Sequence, residues 1–227
     1  MSPFLYNTLI SAVSVFYVFA VVAVMDFLVK RNFVPQDISR KIVHIAAGSW
    51  LIFWLFFDDT HWSKYFNIAP ALIWAILLLI KGFTADENDE AVKTMTRTGD
   101  RRELLKGPLY FTIIMCIMGT VYYKTFFAFT AMGILGWGDG LAPVFGKRFG
   151  KHKFKILSDK SIEGSVAFLI FGFIGALIFN LIFGVQIDYK LLLLITLFAT
   201  LIEAISPKDL DNLLIPVGVG IAVILYI

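Results

Sequence analysis

The stretch SVAFLIFGFIGALIFNLIF, residues 165–183, contains no charged residue, and its polar side chains are Ser165 and Asn180. An apolar segment near twenty residues long is what an α-helix needs to cross the hydrocarbon core of a bilayer. Strands of a membrane barrel would alternate apolar and polar residues with period two, and this stretch does not alternate. It therefore predicts a transmembrane helix and an all-α fold.

The rest of the chain repeats this pattern. Of its 227 residues 59% are hydrophobic and 16% are charged, whereas about a quarter of a soluble domain is charged. The candidate spans are 4–29, 42–57, 66–82, 108–122, 124–137, 165–183, 189–206 and 212–227. We expect the first to be retained, because no basic region or cleavage site marks it as a signal peptide. The sequence predicts a polytopic integral membrane bundle of about eight transmembrane helices, forming one domain over residues 1–227.

The basic residues predict how these spans are oriented. Seventeen of the 20 lysines and arginines lie in 30–41, 81–107 and 138–164 or at Lys208. Positively charged loops of membrane proteins face the cytoplasm. We therefore expect these alternate loops to be cytoplasmic and both termini to lie outside.

Carboxylates and glycines in the same loops need another explanation. Asp139 lies between Gly138 and Gly140, where small residues let the backbone turn and approach a ligand. Other acids lie at the edges of spans, where partial desolvation makes a charge costly. These acids are Glu163, Glu203 and Asp211. Each taken singly could be a turn or helix-cap residue, but their convergence on one membrane face favours a polar site.

A basic cluster precedes the second span. Arg40, Lys41 and His44 share one face if a helix has already begun there. The arginine and lysine could be anchors that reach to the membrane surface. His44 lies one turn deeper and needs a polar partner, which favours a site over an anchor.

Several known site types are excluded by their motifs. Five residues separate Gly140 from Gly146, and Arg148 follows Lys147, so the phosphate-binding P-loop pattern is absent. Protein-kinase and serine-hydrolase motifs are also absent. Three histidines and one cysteine make a zinc site a poor fit. Chemistry with a hard cation remains, in which carboxylates bind Mg²⁺ and basic groups bind phosphate oxygens.

Four motifs in order carry a resemblance to a known family. They are R-K-x-x-H (40–44), G-D-G-x-A-x-x-x-G-x-x-x-G (138–150), K-S-x-E-G-S (160–165) and E-x-x-S-P-x-x-x-D-N (203–212). The chain resembles the dolichol kinase, phytol kinase and CTP-dependent diacylglycerol kinase family, itself related to the cytidylyltransferases that make CDP-lipids. Residues 102–110 also resemble prokaryotic and plastid members, whereas Gly140 replaces a frequent alanine.

The resemblance implies a CTP-dependent kinase that requires Mg²⁺ and phosphorylates a prenol or polyprenol of the phytol, geranylgeraniol or dolichol type. The reaction is expected at the cytoplasmic face of a membrane, with membrane lipids around the protein and no nucleic acid partner. A CDP-lipid synthase is the alternative, and a diacylglycerol kinase or a lipid transporter is less favoured. The lipid chain length and the oligomeric state stay open.

Roles for individual residues follow from this resemblance. The predicted catalytic residues are Asp139, His44 and Glu163. The predicted nucleotide and phosphate ligands are Arg40, Lys41, Gly138, Gly146, Lys147, Gly150, Lys160 and Ser161. The predicted magnesium ligands are Asp139, Glu163 and Asp211. Arg102, Glu203 and Asn212 are expected to complete the polar site.

Overall fold

The computed structural model describes residues 1–86 and 89–226. The chain divides into two compact units, Met1–Tyr123 and Lys124–Ile227. The first is called unit 1 and the second unit 2. That residues 1–227 form one domain stays a prediction.

Unit 1 consists of five α-helices and three short 3-10 helices within the described residues. The α-helices are α1 (Pro3–Lys30), α2 (Gln36–Gly48), α3 (Ala69–Thr84), α4 (Glu90–Met95) and α5 (Gly107–Thr120). The 3-10 helices are Ser49–Phe56, Trp62–Ile68 and Arg101–Leu105. Prolines open three of the long helices, at the first-turn positions where their missing N–H is not needed.

Buried amide groups hold the short helices of unit 1 in place. The Asn7 side chain accepts from the Asp58 N–H at 2.8 Å and donates to the Asp58 carbonyl at 2.9 Å. Asn67 donates to the Gly119 carbonyl at 2.8 Å, and the Trp50 indole donates to the Asn67 carbonyl at 2.8 Å. Because buried polar groups need partners, these bonds attach α1 to the connection at Asp58 and α5 to the 3-10 helix Trp62–Ile68.

The predicted span 42–57 is not one α-helix. Helix α2 ends at Gly48 and continues as the 3-10 helix Ser49–Phe56. The Ser49 hydroxyl donates to the Ile45 carbonyl at 2.8 Å. Such back-bonding competes with the regular helix hydrogen bonds and often bends a helix, which fits a change of pitch here.

Unit 2 contains five α-helices, a π-helical segment and a small hairpin within the described residues. The helices are α6 (Phe126–Gly133), α7 (Gly140–Phe149), α8 (Ile162–Ile182), α9 (Tyr189–Ile205) and α10 (Asp211–Tyr226). The π-helical segment Ile134–Asp139 joins α6 to α7. Strands β1 (Lys153–Lys155) and β2 (Asp159–Ser161) pair antiparallel between α7 and α8.

Glycines bring the α6–α7 segment into backbone contact with α8. A Cβ added to Gly133 would lie 2.3 Å from the Ala176 nitrogen. A Cβ added to Gly138 would lie 3.2 Å from Gly172 Cα, and one on Gly146 would lie 3.4 Å from Gly164 Cα. The prediction that a loop begins at residue 138 is therefore wrong, because these glycines serve close helix packing and the helix continues to Phe149.

Three helical segments in the described ranges are long and apolar enough to cross a membrane. They are Pro3–Lys30, Trp62–Thr84 and Ile162–Ile182, and Asp211–Tyr226 is a shorter apolar helix. The chain is therefore a nearly all-α membrane protein, as its composition indicated. The count of eight spans and the outside location of both termini stay predictions.

Candidate functional site

A charged cluster in unit 2 centres on Lys160. The Lys160 ammonium forms an ion pair with Glu203 Oε1 and lies 3.9 Å from Asp211 Oδ2. The three side chains are 18%, 4% and 14% exposed, respectively. A cluster this well shielded from water has stronger electrostatic interactions than a surface pair.

Three chain segments deliver these side chains to one place. The β hairpin pairs Lys160 with Phe154, and this places Lys160 just before α8. Glu203 lies in the last turn of α9, and Asp211 opens α10. Pro207 cannot continue α9, and the Ser158 hydroxyl donates to the Ser206 carbonyl at 2.8 Å. That bond attaches the hairpin to the α9–α10 connection.

Asp139 belongs to the same cluster. It is the last residue of the π-helical segment and is 5% exposed, and its carboxylate interacts electrostatically with Lys160. Pro143 follows four residues later and has no N–H to donate to the Asp139 carbonyl. Insertions of π-helix occur often at functional sites. The predicted catalytic acid is thus buried beside the predicted phosphate-binding lysine.

The charges of the cluster support binding of a cation. Burial lowers the pKa of Lys160, but attraction to Glu203, Asp211 and Asp139 outweighs it, so this pKa lies above its usual value. Lys160 therefore stays protonated at neutral pH. Among these four side chains alone, the ionised carboxylates outnumber the ammonium by two. Such a concentration of carboxylates attracts a divalent cation.

The available ligands fit Mg²⁺ held jointly with phosphate. Across residues 1–86 and 89–226, no three His, Cys, Asp or Glu side chains form a group that could hold a metal alone. Mg²⁺ needs no such group, because it commonly binds one or two carboxylates together with water and substrate phosphates. Asp139 and Asp211 can supply those carboxylates. Asn212 is 8% exposed, and its side-chain Oδ1 has no hydrogen-bond partner among the described residues. This oxygen is a further polar group for a ligand.

Glu163, another predicted magnesium ligand, is bound to His152. Its Oε1 lies 2.8 Å from His152 Nδ1, and both carboxylate oxygens accept from the His152 N–H at 3.2 and 3.3 Å. The sequence did not single out His152, since it lies within a run of basic residues. In the structure Glu163 anchors the loop after α7 to the start of α8.

Ser161 and two of the predicted phosphate-binding glycines pack against one another. The Ser161 hydroxyl caps α8 by accepting from the Gly164 N–H at 3.1 Å. A Cβ on Gly146 would lie 3.0 Å from this hydroxyl, and one on Gly150 would lie 2.8 Å from it. Lys147 lies nearby in the last turn of α7 and is exposed. A phosphate would thus meet Lys147 at the surface while the glycines provide close packing.

The remaining predicted residues lie in unit 1. Arg40 Nη1 donates to the Thr96 carbonyl at 3.3 Å, and Lys41 beside it is half-buried. The His44 ring packs on Phe111 with centroids 4.2 Å apart. Arg102 lies exposed in the 3-10 helix Arg101–Leu105. Within unit 1, Arg40, Lys41 and His44 thus place two cations and an imidazole on α2, while Arg102 lies on a separate 3-10 helix.

Curated relatives of the chain are plant enzymes. It is 33% identical to a probable phytol kinase 1, chloroplastic, of Glycine max, covering 88% of this chain and 70% of the relative. Phytol kinase 1, chloroplastic, of Arabidopsis thaliana is 29% identical to it, and the match covers 90% of this chain and 71% of the relative. Farnesol kinase, chloroplastic, of the same plant is 34% identical to it, and the match covers 78% of this chain and 60% of the relative.

The other two comparisons give no match. No protein-family model matches the chain. No solved structure matches it.

Proposed function

The chain belongs to the family of phytol and farnesol kinases, and from that premise we propose that it transfers the γ-phosphate of CTP to a prenol hydroxyl. The family makes it a phosphotransferase that acts on a lipid alcohol. The choice of CTP and Mg²⁺, and the location of the site at the cytoplasmic face, are parts of our proposal.

The observation that carries this proposal is the cluster of Asp139, Glu203 and Asp211 around Lys160. Phosphoryl transfer depends chiefly on positioning and on neutralising the charge of the phosphate oxygens. The protonated lysine provides a cation for the phosphates, and the surrounding carboxylates provide ligands for the magnesium that accompanies the phosphates. Asp139 and Asp211 would hold Mg²⁺, which when bound would supply positive charge to neutralise the triphosphate.

The protein's own residues would act as follows. Lys160 binds a phosphate oxygen and keeps its proton, since its pKa is raised. Asp139 accepts the proton of the prenol hydroxyl as that oxygen attacks the γ-phosphorus. The bond from the γ-phosphorus to the bridging oxygen breaks, and CDP leaves. Arg40, Lys41 and His44 lie in unit 1, and the phosphate-binding and orienting roles expected of them stay predictions.

The membrane setting supports a lipid substrate. The apolar helices can surround a prenol tail while its hydroxyl reaches charged residues at a membrane edge. The concentration of lysines and arginines in alternate loops supports a cytoplasmic location of that edge.

The test is an assay of purified protein in nanodiscs with labelled CTP or ATP and Mg²⁺ against phytol, farnesol, geranylgeraniol, a dolichol and diacylglycerol. We expect a prenyl phosphate and CDP as products. Asp139→Asn should lower turnover at least about 100-fold, because it removes the proton acceptor and a magnesium ligand while preserving side-chain shape.

Asp159→Asn is the matched control, since Asp159 adjoins Lys160 but its side chain is 85% exposed. This variant should retain turnover. Pyrophosphate and a CDP-lipid as products would instead identify a cytidylyltransferase. Undiminished turnover by a folded Asp139→Asn protein would refute the role of Asp139.

A further inference from the structure

Unit 1 contains a pocket that lies outside the residues assigned above. Its volume is about 440 Å³, which lies in the size range of small-molecule sites. The end of α1, the start of α2, helix α4 and the loop after α4 form its walls. The lining residues are Asp26, Val29, Lys30, Gln36, Lys93, Thr94, Thr96, Arg97 and Gly99.

The charge of this pocket favours an anion. Among the described residues that line it, the cations Lys30, Lys93 and Arg97 outnumber the acid Asp26, so this part of the lining carries an excess of positive charge when ionised. Helix α2 begins at the pocket, and helix amino termini attract negative charge. Asp37 in its first turn already meets part of this attraction by accepting from the Ile38 N–H at 3.1 Å, so the cationic side chains are the main attraction for an anion. Lone lysines at a membrane edge are usually anchors, whereas here cations from separate segments converge on one cavity.

The loop that presents Arg97 is ordered by its own hydrogen bonds. Buried Thr96 accepts from the Gly99 N–H at 3.1 Å and donates to the Val92 carbonyl at 2.5 Å. The Arg97 N–H donates to Glu103 Oε2 at 2.5 Å. The φ of +83° at Gly99 suits glycine and closes the turn. Because the backbone is already fixed, binding a ligand requires little further ordering of this loop.

Hydrogen-bond donors dominate the lining in a way that suits phosphate oxygens. Arginine offers a planar fork of N–H groups, lysine offers a compact ammonium, and Thr94 adds a hydroxyl. Lys30 is the last residue of the long apolar helix α1. The pocket therefore lies at an edge of the apolar part of unit 1, where water-soluble nucleotides and lipid headgroups can both arrive.

We propose that this pocket is a binding site for a phosphate-bearing ligand, either the polyphosphate chain of a nucleotide or the phosphate headgroup of an anionic lipid. Sequence analysis did not single out this pocket, although Asp26 is an acid near the carboxyl end of an apolar helix, where the helix dipole disfavours negative charge. Neighbouring cations make that position tolerable. Binding here does not require turnover, so it can be tested separately from the kinase activity.

The first test is lysine footprinting of the whole protein in phosphatidylcholine nanodiscs. Acylation of Lys30 and Lys93 is measured by mass spectrometry with tripolyphosphate, CTP or ATP, and separately in nanodiscs that contain phosphatidic acid. We expect either the soluble polyphosphates or phosphatidic acid to slow acylation of these lysines at least about fivefold. The protecting compound then identifies the class of ligand. Lys155 and Lys208 lie outside the pocket and should keep their reactivity.

The second test measures affinity. The double variant Lys93→Gln, Arg97→Gln should weaken binding of the protecting ligand at the pocket about tenfold or more, because charge-assisted hydrogen bonds are lost. The double variant Lys106→Gln, Lys208→Gln removes equal charge outside the pocket and should bind like the unmodified protein. Absence of protection of Lys30 and Lys93 by either source would overturn the proposal. If Lys30 and Lys93 are not protected but the protein has full kinase activity, the proposed binding at the pocket is refuted and the proposed function is not.

Discussion

The ion pair between Lys160 and Glu203 can be tested through stability. Lys160→Met keeps most of the side-chain length but removes the ammonium, which leaves the Glu203 carboxylate, 4% exposed, among other acids. Removing one partner of a buried pair costs about 3–5 kcal/mol. For a protein of this size, 1 kcal/mol corresponds to about 2–4 °C in Tm. We therefore expect Tm to fall by roughly 6–20 °C.

The double variant Lys160→Met, Glu203→Gln should recover a large part of this loss. It removes the buried charge that the single variant leaves without its ammonium partner. The measurement is thermal unfolding of the four proteins of this cycle in identical nanodiscs, with the coupling energy calculated from the four values.

Lys155→Met is the matched control. Lys155 pairs with Asp159 at 3.6 Å, but these side chains are 71% and 85% exposed. A surface pair contributes about 0–1 kcal/mol, so this variant should melt close to the unmodified protein. Equal Tm values for Lys160→Met and Lys155→Met would refute the reasoning, as would a double variant that melts below Lys160→Met.

Two further predictions concern packing and pH. Gly133→Ala should destabilise unit 2 by about 1–3 kcal/mol, because its Cβ would lie 2.3 Å from the Ala176 nitrogen. Gly220→Ala is the matched control and should cost less, because its Cβ would meet the side-chain ring of Phe127 at 3.3 Å rather than a backbone atom. Equal melting of these variants would contradict the packing. The Thr60 hydroxyl and N–H lower the pKa of Asp58 below 3.8 in the folded protein. The ionised Asp58 carboxylate therefore stabilises the fold above pH 3.8, and this stabilisation is lost as the pH falls through the lowered pKa. Urea unfolding should show a cost of Asp58→Asn at pH 7 that shrinks below about pH 3.8, and a cost independent of pH would disprove the assignment.

The long apolar helices could be predicted from sequence because their signal is local. Residues 165–183 predicted most of α8, and residues 4–29 predicted α1 almost to its ends. Hydrophobicity over twenty residues decides whether a segment can cross a membrane, and no distant contact is needed to evaluate it. The motif K-S-x-E-G-S (160–165) could also be recognised in the sequence, since its residues are contiguous.

Glycine positions could not be interpreted without their neighbours. Gly138 and Gly146 were predicted to free the backbone beside a phosphate, yet they pack α7 and the π-helical segment against α8. A glycine suits both a turn and a close helix contact, so the sequence alone leaves its role open. The facing backbone of α8 reveals their packing role, and their contact with a phosphate stays a prediction.

The sequence by itself determined that this is a helical membrane protein of the prenol kinase family and named the acids and lysines of its polar face. Only the tertiary structure decided their partners. Glu203, expected to complete the polar site, is the acid bound to Lys160 across 43 residues of chain, while Glu163, predicted as a metal ligand, binds His152. Such pairings depend on how the hairpin and the helix ends meet, because a buried charge is stabilised by whichever partner the fold brings within reach.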